Sequence, residues 1–213
     1  MEVLSGILYS LSSAFLVPTL VAVLALFVGT TYLVGQLLSE GLDRRANRAS
    51  LATCRAEGLS LNAFLLQPWR GRFAAVQSAL SADGLHSVFV DRRVTDIETA
   101  LRARIERLGI VSRAGPMLGL IGTLIPLQPA LAGLAEGNMQ QMASKLLLGF
   151  TTTVIGLVIG GVAFGLGTIT RIWGRADLIE IRFLLERWRE EEEQAYERQS
   201  TAALAAAELE LDR

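Results

Sequence analysis

Three long stretches of this sequence contain no Asp, Glu, Lys or Arg: residues 3–39, 114–135 and 146–170. An α-helix rises 1.5 Å per residue, so about 20 apolar residues cross the roughly 30 Å of hydrocarbon in a bilayer. Each stretch reaches that length. Because charged residues make up only 19% of the chain, we predict an all-α membrane protein with three transmembrane helices.

The first stretch differs from a secretory signal, which has a basic start and an apolar run of about 7–15 residues. This chain begins Met1-Glu2 and then runs uncharged over residues 3–39. We therefore expect a retained membrane helix at 15–38, with Pro18 tolerated near its start. A short interfacial segment is expected at 1–14.

The distribution of Lys and Arg predicts how the chain is oriented, since basic residues concentrate on the cytoplasmic side. Residues 40–113 hold twelve Arg and residues 171–213 hold seven, whereas the 136–145 connection holds only Lys145. We expect the long loop and the C-terminal tail in the cytoplasm and the N-terminus outside. The expected segments are 1–14 interfacial, 15–38 transmembrane, 39–113 cytoplasmic and helical, 114–135 transmembrane, 136–145 an outer hairpin, 146–170 transmembrane and 171–213 a cytoplasmic helix.

The cytoplasmic segments have helical patterns and no strand pattern. Apolar residues from Val94 to Leu108 recur at spacings of three and four, which places them on one face of a helix that leads into the second span. Asp83-Gly84 is a turn signal, and a break in the helix is expected near 58–68. The run Glu190–Glu193 is interpreted as a solvated helix face.

Several function classes are disfavoured by what the sequence lacks. The near-equal counts of 20 basic and 21 acidic residues give no electrostatic case for nucleic acid. Cys54 is the single cysteine and His86 the single histidine, so no intrachain disulfide, zinc motif or nucleophile–base pair is predicted. We expect no metal, no cofactor and no enzymatic activity.

Small residues form one stripe on each of the last two spans. In the second span they recur every three or four residues, and the third span carries a similar series. Small residues let helix backbones approach closely in lipid. Either the two spans pack on each other, or the stripes are too bare to face lipid and serve the assembly of a ring. The residues are Gly115, Gly119, Gly122, Pro126, Pro129 and Gly133 in the second span, and Gly149, Thr153, Gly156, Gly160 and Gly167 in the third.

Pro126 and Pro129 each remove a helical hydrogen bond, which leaves the carbonyls of Gly122 and Ile125 without their usual donors. In hydrocarbon such a carbonyl must face protein, a hydroxyl or water. We therefore expect a helix distortion beside a polar cavity. Thr123 and the run Thr151–Thr153 lie at comparable depths, and Thr151 and Thr152 are expected to bond back to their own helix.

Two motifs in these spans resemble those of a known family. Residues 113–124 read RAGPMLGLIGTL, which resembles the APLLGLLGTV signature that opens the second span of MotA/TolQ/ExbB proton-channel subunits, and residues 153–157 read TVIGL, which resembles the family's T-x-x-G-L. The order of three spans, large cytoplasmic loop and cytoplasmic tail is similar to the three-span TolQ and ExbB rather than the four-span MotA.

The resemblance implies a pentameric ring in the cytoplasmic (inner) membrane, with spans two and three around a pore and span one facing lipid. It also implies a single-span partner of the ExbD, TolR or MotB kind that carries an intramembrane Asp. The family's two pore threonines correspond to Thr123 and Thr153, which would hydrogen-bond water or the partner carboxylate. Two positions depart from the family pattern: Pro126 stands where a Gly is common, and Leu148 where a Glu is common.

Two function classes follow from the sequence. The first is a ring-forming subunit of a complex driven by the proton-motive force, such as a motor or energy-transducing channel. The second is a three-span scaffold or transporter accessory subunit whose small-residue stripes serve packing alone. A neighbouring gene for a single-span protein with an Asp early in its span would favour the first.

Overall fold

The computed structural model describes residues 7, 10, 11, 13–56, 58–86 and 88–211, with side chains as far as residue 202. These residues form helices and turns, and none of them lies in a strand. The predicted 1–14 segment lies largely outside the described residues. The helices are α1 (Leu16–Ala56), α2 (Leu61–Leu66), α3 (Arg72–Asp83), α4 (Val88–Ala135) and α5 (Met139–Leu211).

Three of the helices, α1, α4 and α5, are long and apolar enough to cross a membrane. The prediction of an all-α chain with three such helices is confirmed. Each of these helices also continues well beyond the charge-free stretch it contains, because no proline or turn signal interrupts the adjoining sequence.

The helix ends coincide with residues that favour turns. Gly58 and Leu59 follow α1 with φ of 78° and 56°, a left-handed conformation that ends a helix. Ser60 then caps α2, since its hydroxyl accepts a hydrogen bond of 3.2 Å from the Ala63 N–H. At the predicted Asp83-Gly84 turn, α3 ends at Asp83 and Gly84 has φ of 81°.

The chain divides into two compact units. The membrane unit comprises Met1–Leu38 and Arg102–Arg171 and contains the three charge-free stretches apart from Ser39. Within it, α1 buries one face through residues at helical spacing, while most of its other side chains are exposed. The buried residues are Thr19, Val23, Thr30 and Leu37.

The extramembrane unit comprises Ser39–Leu101 and Ile172–Arg213 and is organised around an aromatic cluster. Phe64 stacks on Trp69 with ring centroids 4.7 Å apart, Trp69 stacks on Phe73 at 5.1 Å, and Trp188 contacts Phe64 at 5.0 Å. Both indole N–H groups are satisfied: Trp69 donates to the Phe64 carbonyl (2.7 Å) and Trp188 to the Leu59 carbonyl (2.6 Å). Large aromatic surfaces are thus buried without a lost hydrogen bond.

The N-terminal part of α4, up to Leu101, belongs to this unit. The predicted amphipathic face is buried there, since Val94 and Leu101 are each 6% exposed. The connection before α3 is held by Asn47, whose side-chain amide donates to the Arg70 carbonyl and accepts from the Arg70 N–H, both at 3.0 Å. A buried amide that is satisfied in both directions stabilises an otherwise irregular segment.

Candidate functional site

Helices α4 and α5 of the membrane unit form a tight antiparallel hairpin. Gly137 turns the chain with φ of 73°. Asn138 then closes the turn: its N–H donates to the Gly133 carbonyl (2.7 Å) and its side chain accepts from the Gln141 N–H (3.0 Å). Gly133 also lies against Gln141, since a Cβ atom there would come within 3.2 Å of the Gln141 Cγ. The short turn brings the two small-residue stripes face to face.

The stripes contact each other along the hairpin. A Cβ placed on Gly156 would lie 2.5 Å from the Gly115 carbonyl oxygen and 2.8 Å from the Gly119 Cα. A Cβ on Gly115 would lie 2.8 Å from the Gly156 carbonyl oxygen. Gly122 approaches the Thr152 side chain in the same way, and a Cβ on Gly149 would lie 3.3 Å from the Thr123 Cα. At Gly115 and Gly156 these separations admit only hydrogen, so the glycines of each stripe are covered by the other helix within one chain.

This contact bears on the predicted ring. The idea that bare glycine stripes require a ring has no support from these residues, because their own hairpin covers them. A pentamer therefore remains a prediction that depends on the family resemblance.

The prolines of α4 take part in the same contact. Pro126 is fully buried, with its Cγ 3.6 Å from the position of a Cβ on Gly149, and Pro129 is half-buried. Pro116, which the sequence reasoning passed over, also lies inside the helix and leaves the Ser112 carbonyl without its helical donor. That carbonyl faces Gly160, where a Cβ would lie 2.9 Å from the Ser112 oxygen and 2.7 Å from the Pro116 Cδ.

Of the four candidate threonines, only Thr153 links the two helices. Its hydroxyl donates a hydrogen bond of 3.0 Å to the Gly119 carbonyl on α4. Thr123 donates to the Leu120 carbonyl of its own helix at 2.7 Å. The prediction that Thr151 and Thr152 bond back is confirmed, since they donate to the carbonyls of Leu147 and Leu148, each at 2.8 Å.

The hairpin offers hydroxyls and carbonyls but no group that titrates near neutral pH. No Asp, Glu, Lys, Arg or His occurs in residues 114–135 or 146–170. The four candidate threonines already donate their single hydroxyl protons, so each of their oxygens is left as an acceptor. Such an oxygen receives a hydrogen bond from water or from a protonated carboxylic acid, but gives none to a carboxylate.

One further hydroxyl in the membrane unit is unusual. Thr170 is 1% exposed, and its Oγ1 has no hydrogen-bond partner among the described residues. Buried hydroxyls are nearly always bonded. The sequence around Thr170 does not distinguish it from the threonines that bond back to their own helix.

The extramembrane unit contains a network of charged side chains, which sequence reasoning also missed. Asp177 forms ion pairs of 2.9 Å with both Arg44 and Arg72, and Arg72 also pairs with Glu40. Burial raises the pKa of Asp177 above its ordinary value: desolvation outweighs the attraction of the two arginines, and Glu40 acts in the same direction as desolvation. The Arg44 guanidinium lies 5.6 Å from the ring centroid of Trp173.

Fold and site together define a class: a multi-pass helical membrane protein with a glycine-packed hairpin that carries hydroxyls within its charge-free stretches. Comparison with known families identifies it further. Residues 70–173 match the MotA/TolQ/ExbB proton channel family, and this match supports the family resemblance of the two motifs. A comparison with curated proteins found no match.

Proposed function

We propose that this chain is the ring-forming subunit of a complex driven by the proton-motive force, and that it works with a single-span partner. The observation that carries the proposal is a proton-channel family match over two apolar stretches, 114–135 and 146–170, that contain no ionisable group. A component of this kind needs its proton-carrying group from another chain.

The physical argument starts from the cost of moving a proton through a low-dielectric layer of about 30 Å. A proton relay uses ionisable groups or continuous water, and ionisable residues within a membrane mark such relays. The nearest candidates here, Arg113, Glu136, Lys145 and Arg171, flank the two charge-free stretches. The carboxylate that titrates is therefore assigned to the partner's membrane helix, as an Asp of the ExbD, TolR or MotB kind.

The threonines suggest how the ring would respond to that carboxylate. Because Thr123 and Thr153 donate their protons to the carbonyls of Leu120 and Gly119, their oxygens accept only. They would bind a protonated partner carboxyl and not its ionised form. A site that distinguishes the two protonation states couples proton transfer to movement of the partner against the ring.

The proposal includes the placement of the complex. We assign it to the inner membrane, with the N-terminus outside, the C-terminus in the cytoplasm and five copies in the ring. Because three of its helices are long and apolar enough to cross a membrane, we include in the proposal a relationship to the three-span TolQ and ExbB rather than to the four-span MotA.

The proposal is tested by proton uptake into liposomes that hold the purified chain with or without a co-expressed single-span partner. We expect uptake only with the partner, and loss of uptake when the partner's membrane Asp is changed to Asn. Rapid proton flux through this chain alone would contradict the assignment of the carboxylate. No partner-dependent flux at all would favour the scaffold function instead.

A further inference from the structure

The extramembrane unit has a cavity of about 290 Å³ formed by residues of α1, α3 and α5. The small side chains of Ala52 on α1 and Ala176 on α5 leave room for this cavity. Three arginines of α1 line it: Arg44, Arg48 and Arg55. They follow one another at spacings of four and seven residues, so they share one face of the helix.

Ion pairs occupy both ends of this row of arginines. Arg44 is paired with Asp177 at 2.9 Å, and Arg55 with Glu180 at 3.4 Å. Arg48 stands between them and has no ion pair or hydrogen bond among the described residues. Three guanidinium groups against two carboxylates leave the lining with a net charge of +1.

We propose that this cavity binds a phosphate-type anion, with Arg48 as its principal ligand. A guanidinium has five N–H donors in a planar fork that matches the oxygens of a phosphate. Arg44 and Arg55 keep donors to spare after pairing with one carboxylate each, so they can contribute to the same anion. Asp177 and Glu180 pair with the outer two arginines, and their role is to hold these arginines in position.

Two sources could supply the anion, a soluble phosphate compound or an anionic lipid headgroup. Ten residues of sequence separate Arg48 from Leu38, the last residue of the predicted span, which corresponds to about 15 Å of α-helix. The headgroup layer is only about 5–7 Å thick on each side. The soluble source is therefore favoured, and the experiment separates the two.

The test measures binding of inorganic phosphate to the purified full-length chain by isothermal titration calorimetry in a chloride buffer. Arg48→Gln removes the proposed ligand, and Arg45→Gln is the matched control, because Arg45 is an exposed neighbour on α1 outside the lining. We expect Arg48→Gln to weaken binding at least about tenfold, as expected for losing a charge-assisted hydrogen bond, and Arg45→Gln to leave it unchanged. Unchanged tryptophan fluorescence and melting of both variants establish that the unit remains folded.

A lipid arm uses the same proteins in nanodiscs of phosphatidylcholine with or without phosphatidylglycerol. If phosphate binds equally in both, the source is soluble; if phosphatidylglycerol blocks it and co-purifies with wild type but not with Arg48→Gln, the source is lipid. Either result supports the site. Absence of saturable binding of both anions, or equal binding by the two variants, would overturn it.

Discussion

The hydroxyl of Thr153 on α5 donates a hydrogen bond of 3.0 Å to the backbone carbonyl of Gly119 on α4. This bond spans the two helices at the level of the glycine contact, since a Cβ on Gly119 would lie only 3.2 Å from the Thr153 Cα. A residue that the family resemblance assigns to proton coupling is thus also part of the packing. Its two roles need separate tests.

Thr153→Val keeps the side-chain shape and removes the interhelical bond. Such bonds in membranes are worth about 0.6 kcal/mol on average, so we expect the protein to assemble with little loss of stability. Partner-dependent proton uptake should fall strongly. Thr151→Val is the matched control, because Thr151 is exposed and bonds back to Leu147. Equal uptake by wild type and Thr153→Val would show that the hydroxyl is structural only.

Thr123→Val provides a second test that leaves the helix contact intact. The Thr123 hydroxyl bonds only within its own helix. Its removal should therefore leave the packing of α4 on α5 undisturbed. We expect normal stability and reduced partner-dependent proton uptake, with Thr123→Ser restoring uptake because it keeps the hydroxyl. If Thr123→Val shows the same partner-dependent proton uptake as wild type, the role that the family resemblance assigns to Thr123 is wrong.

Gly156→Ala tests the closest backbone approach of the hairpin. The added methyl would lie 2.5 Å from the Gly115 carbonyl oxygen, and overpacking of this kind costs about 1–3 kcal/mol. We expect a lower temperature of aggregation in mild detergent, measured as the fraction that stays soluble after heating. Gly161→Ala is the control, since a Cβ there meets nothing within 4 Å. An equal loss of soluble protein in both variants would mean that close helix packing at Gly156 does not explain the destabilisation.

The raised pKa of Asp177 predicts a pH dependence of stability with a definite sign. Asp177 takes up a proton more readily in the folded than in the unfolded chain, so its contribution to stability increases as the pH falls through the raised pKa and is lost as the pH rises. Wild type should therefore gain in melting temperature relative to Asp177→Asn between about pH 7 and about pH 4. Tryptophan fluorescence reports this unit selectively, because Trp69, Trp173 and Trp188 all lie in it.

The control for this comparison is Asp83→Asn, which changes an exposed carboxylate at the end of α3. In the difference between wild type and Asp177→Asn, the contributions of carboxylates that do not interact with Asp177 cancel. A difference between wild type and Asp177→Asn that stays constant or reverses on acidification would contradict the burial effect.

The number of copies in the assembly is tested by native mass spectrometry of the chain in mild detergent. We expect five copies, as the family resemblance implies. The glycine stripes give no support to this number, because they are covered within one chain. A dominant monomer or dimer would count against the ring and in favour of the scaffold function.

The sequence alone determined the helical class, the three apolar helices and the resemblance to the MotA/TolQ/ExbB family. These depend on properties that are local along the chain: charge-free runs of sufficient length, turn residues such as Asp83-Gly84, and the glycine-rich motif after Arg113. Such signals need no knowledge of which residues meet in space, because hydrophobic length and backbone conformation are set residue by residue.

Only the tertiary structure decided what the small residues contact and which threonine links two helices. Glycines at helical spacing are equally suited to packing within a chain and between chains. Here they pack within the chain, because the short turn at Gly137 brings Gly156 against Gly115 and Gly119. Thr151, Thr152 and Thr153 are adjacent and identical in sequence, yet only Thr153 faces a carbonyl of α4. The direction of a side chain around a helix, and the helix that it then faces, depend on long-range packing.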